Sequence, residues 1–204
     1  MSNFITITTE NIMDEHICCA ISDKKCVEGY ALKKEWLKQE FKEGYVFKRI
    51  NERAKVFIEY VPAEKAWVPI SAPNYIYIGC LWVAGKYKGL GYGKQLLNFA
   101  EEEAIKQHKY GLVTIAGVKK LPFLSDGKWL KKQGFEVVEQ LSSGLALYVK
   151  KLNKAATLPR FNSCTKQTSP RNSGILYQSL SVYYLSCREY IGSECKGTKF
   201  AIAY

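Results

Sequence analysis

Phe4 to Thr8 alternates apolar and polar residues, the two-residue period of a short half-buried strand. Asp14 is placed to cap a helix running through Ser22 with Ile17, Cys18 and Ile21 inward. Ala31 to Phe41 carries a helical pattern that sets Leu32, Trp36, Leu37 and Phe41 on one face, and Gly44 is placed to end it. Tyr45 to Ile50 and Lys55 to Val61 are β-rich, separated by the polar insert Asn51-Glu52-Arg53-Ala54. Pro62 stops the second of these, and Trp67 to Ile70 reads as an edge strand broken by Ser71-Ala72-Pro73. Tyr75 to Ala84 has few polar groups on either side, which predicts a strand covered on both faces. After the glycine-rich turn 85–93, Tyr92 to His108 predicts a helix with Leu96, Leu97, Ala100, Ala104 and Ile105 inward. Leu112 to Ala116 is a further buried strand. Ser125 or Asp126 caps a short helix through Lys132, ended by Gly134, and Glu136 to Glu139 with Gly144 to Lys150 closes the pattern as an antiparallel pair. Together these elements predict an α/β fold: a mixed, mostly antiparallel twisted sheet flanked by helices.

The texture changes near Asn153, where Ser, Thr, Asn and Pro accumulate. The division this implies is a domain of residues 1–152 followed by a linker and a short, poorly ordered tail, 153–204, with one strand-like stretch at Val182 to Leu185. The net charge of +11 attracts anions, but eight Lys/Arg against two acids fall after residue 150 and 22 against 17 before it. The body is therefore only mildly basic, and no dense Lys/Arg run marks a nucleic-acid stripe. The start shows no signal-peptide pattern, and the longest apolar stretch, Tyr75 to Gly85, is about half a membrane span. The expectation is a cytoplasmic protein without a membrane partner. Seven cysteines include one adjacent pair and no CxxC, which favours reduced thiols. His16 with Cys18, Cys19 and Cys26 matches no standard zinc spacing, so no metal is expected.

The chemistry concentrates in Leu81 to Lys94. Glycines at 89, 91 and 93 permit a tight turn with consecutive N–H groups exposed, immediately before a helix N-terminus. A diphosphate fits such a site. A Rossmann loop starting at Gly89 would need Gly or Ala where Lys94 stands, and a Walker A loop would need Ser or Thr at Gln95. The alternative is a glycine turn with only a packing role.

Lys88-Gly89-Leu90-Gly91-Tyr92-Gly93 resembles the acetyl-CoA motif of GNAT acetyltransferases, Gln/Arg-x-x-Gly-x-Gly/Ala, with lysine in place of the usual Gln or Arg. More closely, the chain is similar to GNAT proteins that carry a YoaP-like C-terminal domain. That likeness rests on His16-Ile-Cys-Cys-Ala-Ile-Ser-Asp-Lys-Lys-Cys26, Val56-Phe-Ile-Glu-Tyr-Val-Pro-Ala-Glu64 and Pro122-Phe-Leu-Ser-Asp126. The resemblance implies acetyl-CoA as cosubstrate and a sheet splayed between its central strands. Leu81, Trp82 and Val83 would run beside the pantetheine arm. The amides of Gly89, Leu90, Gly91, Tyr92, Gly93 and Lys94 would hold the diphosphate, with Lys88 adding charge.

The implied reaction is transfer of an acetyl group to a primary amine by direct attack in a ternary complex. An amine of pKa near 10.4 is neutral in only about one molecule in a few thousand at pH 7, so the site must accept a proton. It must also stabilise the oxyanion and let the thiolate leave. Many family members place a glutamate base where Cys80 stands and a tyrosine acid where Leu130 stands. Glu59, on the preceding strand and acting through water, is the first candidate base, against a merely solvated residue. Cys80 is a candidate acceptor or proton relay, against a packed thiol. Tyr87 and Tyr92 are near enough in sequence to donate a proton.

In relatives the C-terminal domain opens with a strand and a cysteine near Pro-Phe. Val182-Tyr-Tyr-Leu-Ser-Cys187 resembles that opening, but Arg188-Glu189 follows and about seventeen residues remain. This implies a truncated or diverged YoaP-like appendage, a shifted reading frame, or a basic tail. Two rival readings compete with catalysis: a non-catalytic GNAT-fold module that recruits a partner through its basic tail, and nucleic-acid binding by the basic surface. The acceptor amine and the oligomeric state have no diagnostic motif.

Overall fold

A computed structural model describes residues 3–17, 27–121, 124–153 and 156–162. Its elements are β1 (Phe4–Ile7), α1 (Val27–Glu40), β2 (Val46–Ile50), β3 (Val56–Pro62), β4 (Ile70–Ser71), β5 (Tyr75–Val83), α2 (Tyr92–Lys106), β6 (Gly111–Gly117), α3 (Gly127–Lys132), β7 (Glu136–Gln140), β8 (Leu145–Lys151) and β9 (Arg160–Phe161). Seven strands form one sheet in the order β1-β2-β3-β5-β6-β8-β7, while β4 and β9 make a separate two-stranded ladder. Every neighbouring pair is antiparallel except β5 and β6. That pair needs a crossover, which α2 supplies. The expected mixed, mostly antiparallel α/β architecture is the one present.

Apolar side chains fill two layers. One face packs Phe47, Phe57, Tyr75, Tyr77, Val113, Leu147 and Val149 with Leu37 of α1. The other packs Val56, Ile58, Ile76, Ile78, Leu112 and Tyr148 with Leu96, Leu97, Ala100 and Ala104 of α2 and Leu130 of α3. Strand alternation explains the division, since successive residues of each strand point to opposite faces.

Several local expectations need correction. Glu15 to Ile17 is a bend and coil, not helix, and the remainder of the Asp14–Ser22 segment lies outside the described residues, as do Cys18, Cys19 and Cys26. Trp36, Leu37 and Phe41 pack on the core as expected, but Leu32 is 48 % exposed and its neighbour Lys33 is buried in its place. Ile105 is likewise exposed. Trp67 to Pro69 is bent chain, and strand begins only at Ile70, where it pairs with Phe161. The chain beyond Asn153 is not all detached: Phe161 is fully buried and its N–H donates to Glu139 Oε2 at 2.7 Å. Val182 to Leu185 lies outside the described residues.

Candidate functional site

The sheet opens where β5 meets β6. Pairing joins Tyr75 to Gly111, Ile76 to Leu112 and Tyr77 to Val113, and goes no further. The Thr114 hydroxyl donates to the Ile78 carbonyl at 2.9 Å, closing the apex of a wedge. Beyond it, β6 stays with β8 and β5 stays with β3, so Gly79 to Val83 part from β6. Burial follows this split: Tyr75 to Ile78 are buried and Gly79 to Val83 are partly exposed. The expectation of a strand covered on both faces holds only for its first half.

A β-bulge sits at the opening. Glu59 pairs with Cys80 but Tyr60 pairs with Ile78, leaving Gly79 as the extra residue. Such an insertion bends the strand and reverses the alternation beyond it. Leu81 and Val83 therefore share a side with Ile78 and α2, whereas Cys80 and Trp82 turn to the α1 side.

The glycine segment behaves as an anion cradle. Gly89 and Gly91 have φ of 79° and 82°, in the left-handed region where side chains are strained. A Cβ at Gly89 would meet nothing within 4 Å, so that glycine borders open space. Gly91 is the N-cap of α2, with no side-chain cap, and the first turn holds no acidic residue. The orphan N–H groups of a helix start, at the positive end of its dipole, thus face the cleft. The amides of Lys94 and Gln95 both donate to the Gly91 carbonyl at 3.1 Å. Lys94 therefore offers its side chain rather than its amide.

Leu81, Val83, Tyr87, Lys88, Gly89, Gly91, Tyr92, Gly93 and Lys94 line one wall of a cleft of about 730 Å³. The opposite wall is Ser125, Asp126, Lys128, Trp129, Lys132 and Gln133, from α3 and the turn before it. Asp126 caps α3, accepting from Lys128 N at 2.8 Å and Trp129 N at 3.1 Å. Trp129 packs so closely on Gly93 that a Cβ there would stand 3.2 Å from its ring. Sequence reasoning missed this second wall. Its only signal is an i,i+4 lysine pair, Lys128 and Lys132, flanking a tryptophan on a helix more than thirty residues from the loop.

The other expected site residues stand elsewhere. Leu90 is exposed at the loop apex, outside the cleft lining. Trp82 lies on the α1 side, and its indole N–H is buried without a hydrogen-bond acceptor. Cys80 is partly buried on that same side. Glu59 is buried, not solvated: Oε1 accepts from Lys33 Nζ at 2.8 Å and Oε2 from the Tyr45 hydroxyl at 2.6 Å. Leu130, where the family tyrosine was expected, is buried in the core. Tyr87 donates its hydroxyl proton to Glu52, which pushes its pKa up. Of the two loop tyrosines, it is thus the one whose proton is already committed.

The donor set fits a CoA thioester. Uncapped amides and Lys88 and Lys94 suit a diphosphate, a half-open apolar strand suits the pantetheine arm, and the wedge gives the thioester a route to the other face. Two lysines and an aromatic ring on α3 add partners for the nucleotide end.

Residues 9–121 match the acetyltransferase (GNAT) family. The chain is 42% identical over 206 residues to "Uncharacterized N-acetyltransferase YoaP" of Bacillus subtilis (strain 168), a match covering 97% of this chain and 80% of that one. Among solved structures, the PaiA N-acetyltransferase of Thermoplasma acidophilum, in complex with coenzyme A, superposes with a TM-score of 0.50 at 18% identity. It covers 74% of this chain and 99% of its own length, and the likeness is one of fold. The chain belongs to the GNAT acetyltransferase family and is an acyltransferase whose acyl donor is acetyl-CoA.

Proposed function

We propose that the chain transfers the acetyl group of acetyl-CoA to a primary amine in a ternary complex, with the diphosphate seated on the Gly89–Gly93 amides. The observation that carries this reading is the coincidence of the uncapped α2 start with the β5–β6 wedge, on one continuous cleft. Acetyl-CoA supplies an activated thioester carbonyl. Leu81 and Val83 flank its arm, and the stretch of β5 beyond its pairing with β6 offers backbone N–H to the carbonyl oxygen. Lys88, Lys94, Lys128 and Lys132 counter the phosphates.

The acceptor amine approaches from the α1 side, where Cys80, Trp82 and Glu59 lie. Its ammonium gives one proton to the Glu59 carboxylate through water and becomes neutral. The nitrogen lone pair then attacks the carbonyl carbon; the N–C bond forms, the C–S bond breaks, and the thiolate leaves. The nitrogen loses its second proton to solvent, and the thiolate, with a pKa near 8.5, is protonated from solvent. Cys80 in this scheme lines the path as a relay.

The catalytic unit is residues 1–152 and the remainder an appendage, in a cytoplasmic protein. The match to the Bacillus protein leaves only a few per cent of this chain unaligned, so it runs well past residue 152. That supports a shared C-terminal sequence over a shifted reading frame.

Thermal unfolding with and without acetyl-CoA, beside Gly91→Trp, tests the binding half. At about a hundredfold excess over Kd, binding adds roughly 2.7 kcal/mol, a rise of a few degrees. The native protein shows that rise and the variant loses it. No rise at millimolar acetyl-CoA contradicts the reading.

A further inference from the structure

We infer that Lys33 is a positioning residue for acyl transfer, holding Glu59 as a carboxylate, with the Tyr45 hydroxyl, directly across the ladder from the β5 bulge. The inference rests on the proposed acetyl transfer and adds to it the groups that make a buried base workable.

Lysine on a surface helix is ordinarily solvated, yet Lys33 is 1 % exposed and its side chain points into the core. Nζ lies 2.8 Å from Glu59 Oε1 and 5.9 Å from the centroid of the Phe47 ring. Glu59 is itself 3 % exposed, and its Oε2 accepts a hydrogen bond from the Tyr45 hydroxyl at 2.6 Å. A buried carboxylate without a counter-ion would neutralise by picking up a proton, and a protonated acid cannot accept another. Lys33 prevents this. Three elements converge to do so: α1 brings the cation, the turn into β2 brings the hydroxyl, and β3 brings the acid.

The location is what links the trio to the reaction. Glu59 is the cross-strand partner of Cys80, at the residue where the bulge reorients β5 and the wedge opens. Buried ion pairs contribute little net stability compared with apolar packing, so a pair at this point is better explained by what it holds than by what it stabilises. The other titratable or charged groups of that layer are Tyr30 and Glu40 of α1, Arg49 with its partner Glu15, Tyr75, Tyr77 and Cys80 of β5, and Tyr110. Lys33 is in direct contact with Glu59, its Nζ forming an ion pair with Oε1.

The test compares native protein, Lys33→Met, Lys33→Arg and Tyr45→Phe. Each is assayed for thiol release from acetyl-CoA across pH 5 to 9, using the best acceptor from spermidine, glycinamide, kanamycin and an alanine-led tripeptide. In parallel, carbon NMR of labelled glutamate, with Glu59→Gln for assignment, follows the carboxyl group itself. Lys33→Met moves the acid limb of kcat/KM, and the Glu59 carboxyl titration, up by about one pH unit or more. Its KM for acetyl-CoA stays within about twofold, and Lys33→Arg restores most of the profile. Should Lys33→Met not fold, Tyr45→Phe keeps the ion pair and removes one donor, and the same limb moves up by a smaller amount. An acid limb and a carboxyl titration unchanged in the folded variants overturn the inference while leaving acetyl transfer standing. Native protein that binds acetyl-CoA but acetylates none of the amines overturns both.

Discussion

In the proposed mechanism Glu59 accepts the proton of the acceptor ammonium, and its two neighbours prepare it for that role. Its Oε1 accepts from Lys33 and its Oε2 from Tyr45, and it lies buried beside the partly exposed Cys80 and Trp82. Glu59→Gln removes the proton acceptor, and kcat falls about a hundredfold or more while acetyl-CoA affinity stays within about twofold. Loss in neither quantity would remove Glu59 from the mechanism. The same substitution leaves a buried ammonium unpaired, and Lys33→Met does the converse to the carboxylate; each costs about 3–5 kcal/mol in denaturant unfolding. The double variant loses clearly less than the sum, because neither charge is stranded. A second residue-scale effect concerns His16, whose pKa falls to about 4, first through burial and then through Arg49 and Arg53; Glu15 opposes and Lys34 adds slightly. Unfolded, the ring takes a proton near pH 6.5, so between pH 6.5 and 4 the unfolded chain binds more protons. Stability contributed by the neutral ring is full above pH 6.5 and declines as pH falls towards 4. After allowance for its half-exposure this is about 1 kcal/mol, and His16→Gln flattens the corresponding part of the stability curve.

At the scale of elements, the loop and α2 were legible because their signal is local. Three glycines in alternate positions and the helix stripe from Leu96 to Ala104 need no knowledge of the rest of the chain. The inward face of α1 was legible only in part: Trp36, Leu37 and Phe41 pack on the core, but its buried charges could not be read. Lys33 and Glu40 are buried because Glu59 and Trp67 meet them from elsewhere, and a pattern that counts polar residues as exposed selects Leu32 instead. The α3 wall of the cleft was hidden for a related reason: only the tertiary fold carries Trp129 against Gly93. Gly127 is what lets α3 sit there, since a Cβ at that position would collide with the Tyr148 hydroxyl. Gly127→Ala costs about 1–3 kcal/mol in thermal or denaturant unfolding and weakens acetyl-CoA binding, because α3 must move. An unchanged midpoint with unchanged affinity would show that α3 adapts freely and is no fixed wall.

Across the described residues, the β5 bulge and the β5–β6 wedge set two faces of the sheet apart. In the proposed reaction the α2 side, with its amides, lysines and apolar track, takes the acyl donor, and the α1 side, with Cys80, Trp82 and Glu59, takes the acceptor. The overall fold could be read from strand and helix order alone, but the extra ladder of Ile70 with Phe161 could not, because two-residue strands carry no period. Among the described residues, no helix is long and apolar enough to cross a membrane. The central claim is acetyl transfer to an amine, and thiol release from acetyl-CoA by the purified chain with and without the four amines tests it most directly. The account predicts acceptor-dependent release, an acetylated product by mass, and loss of both in Gly91→Trp. Acetyl-CoA binding with no amine raising release above the acceptor-free rate would contradict it.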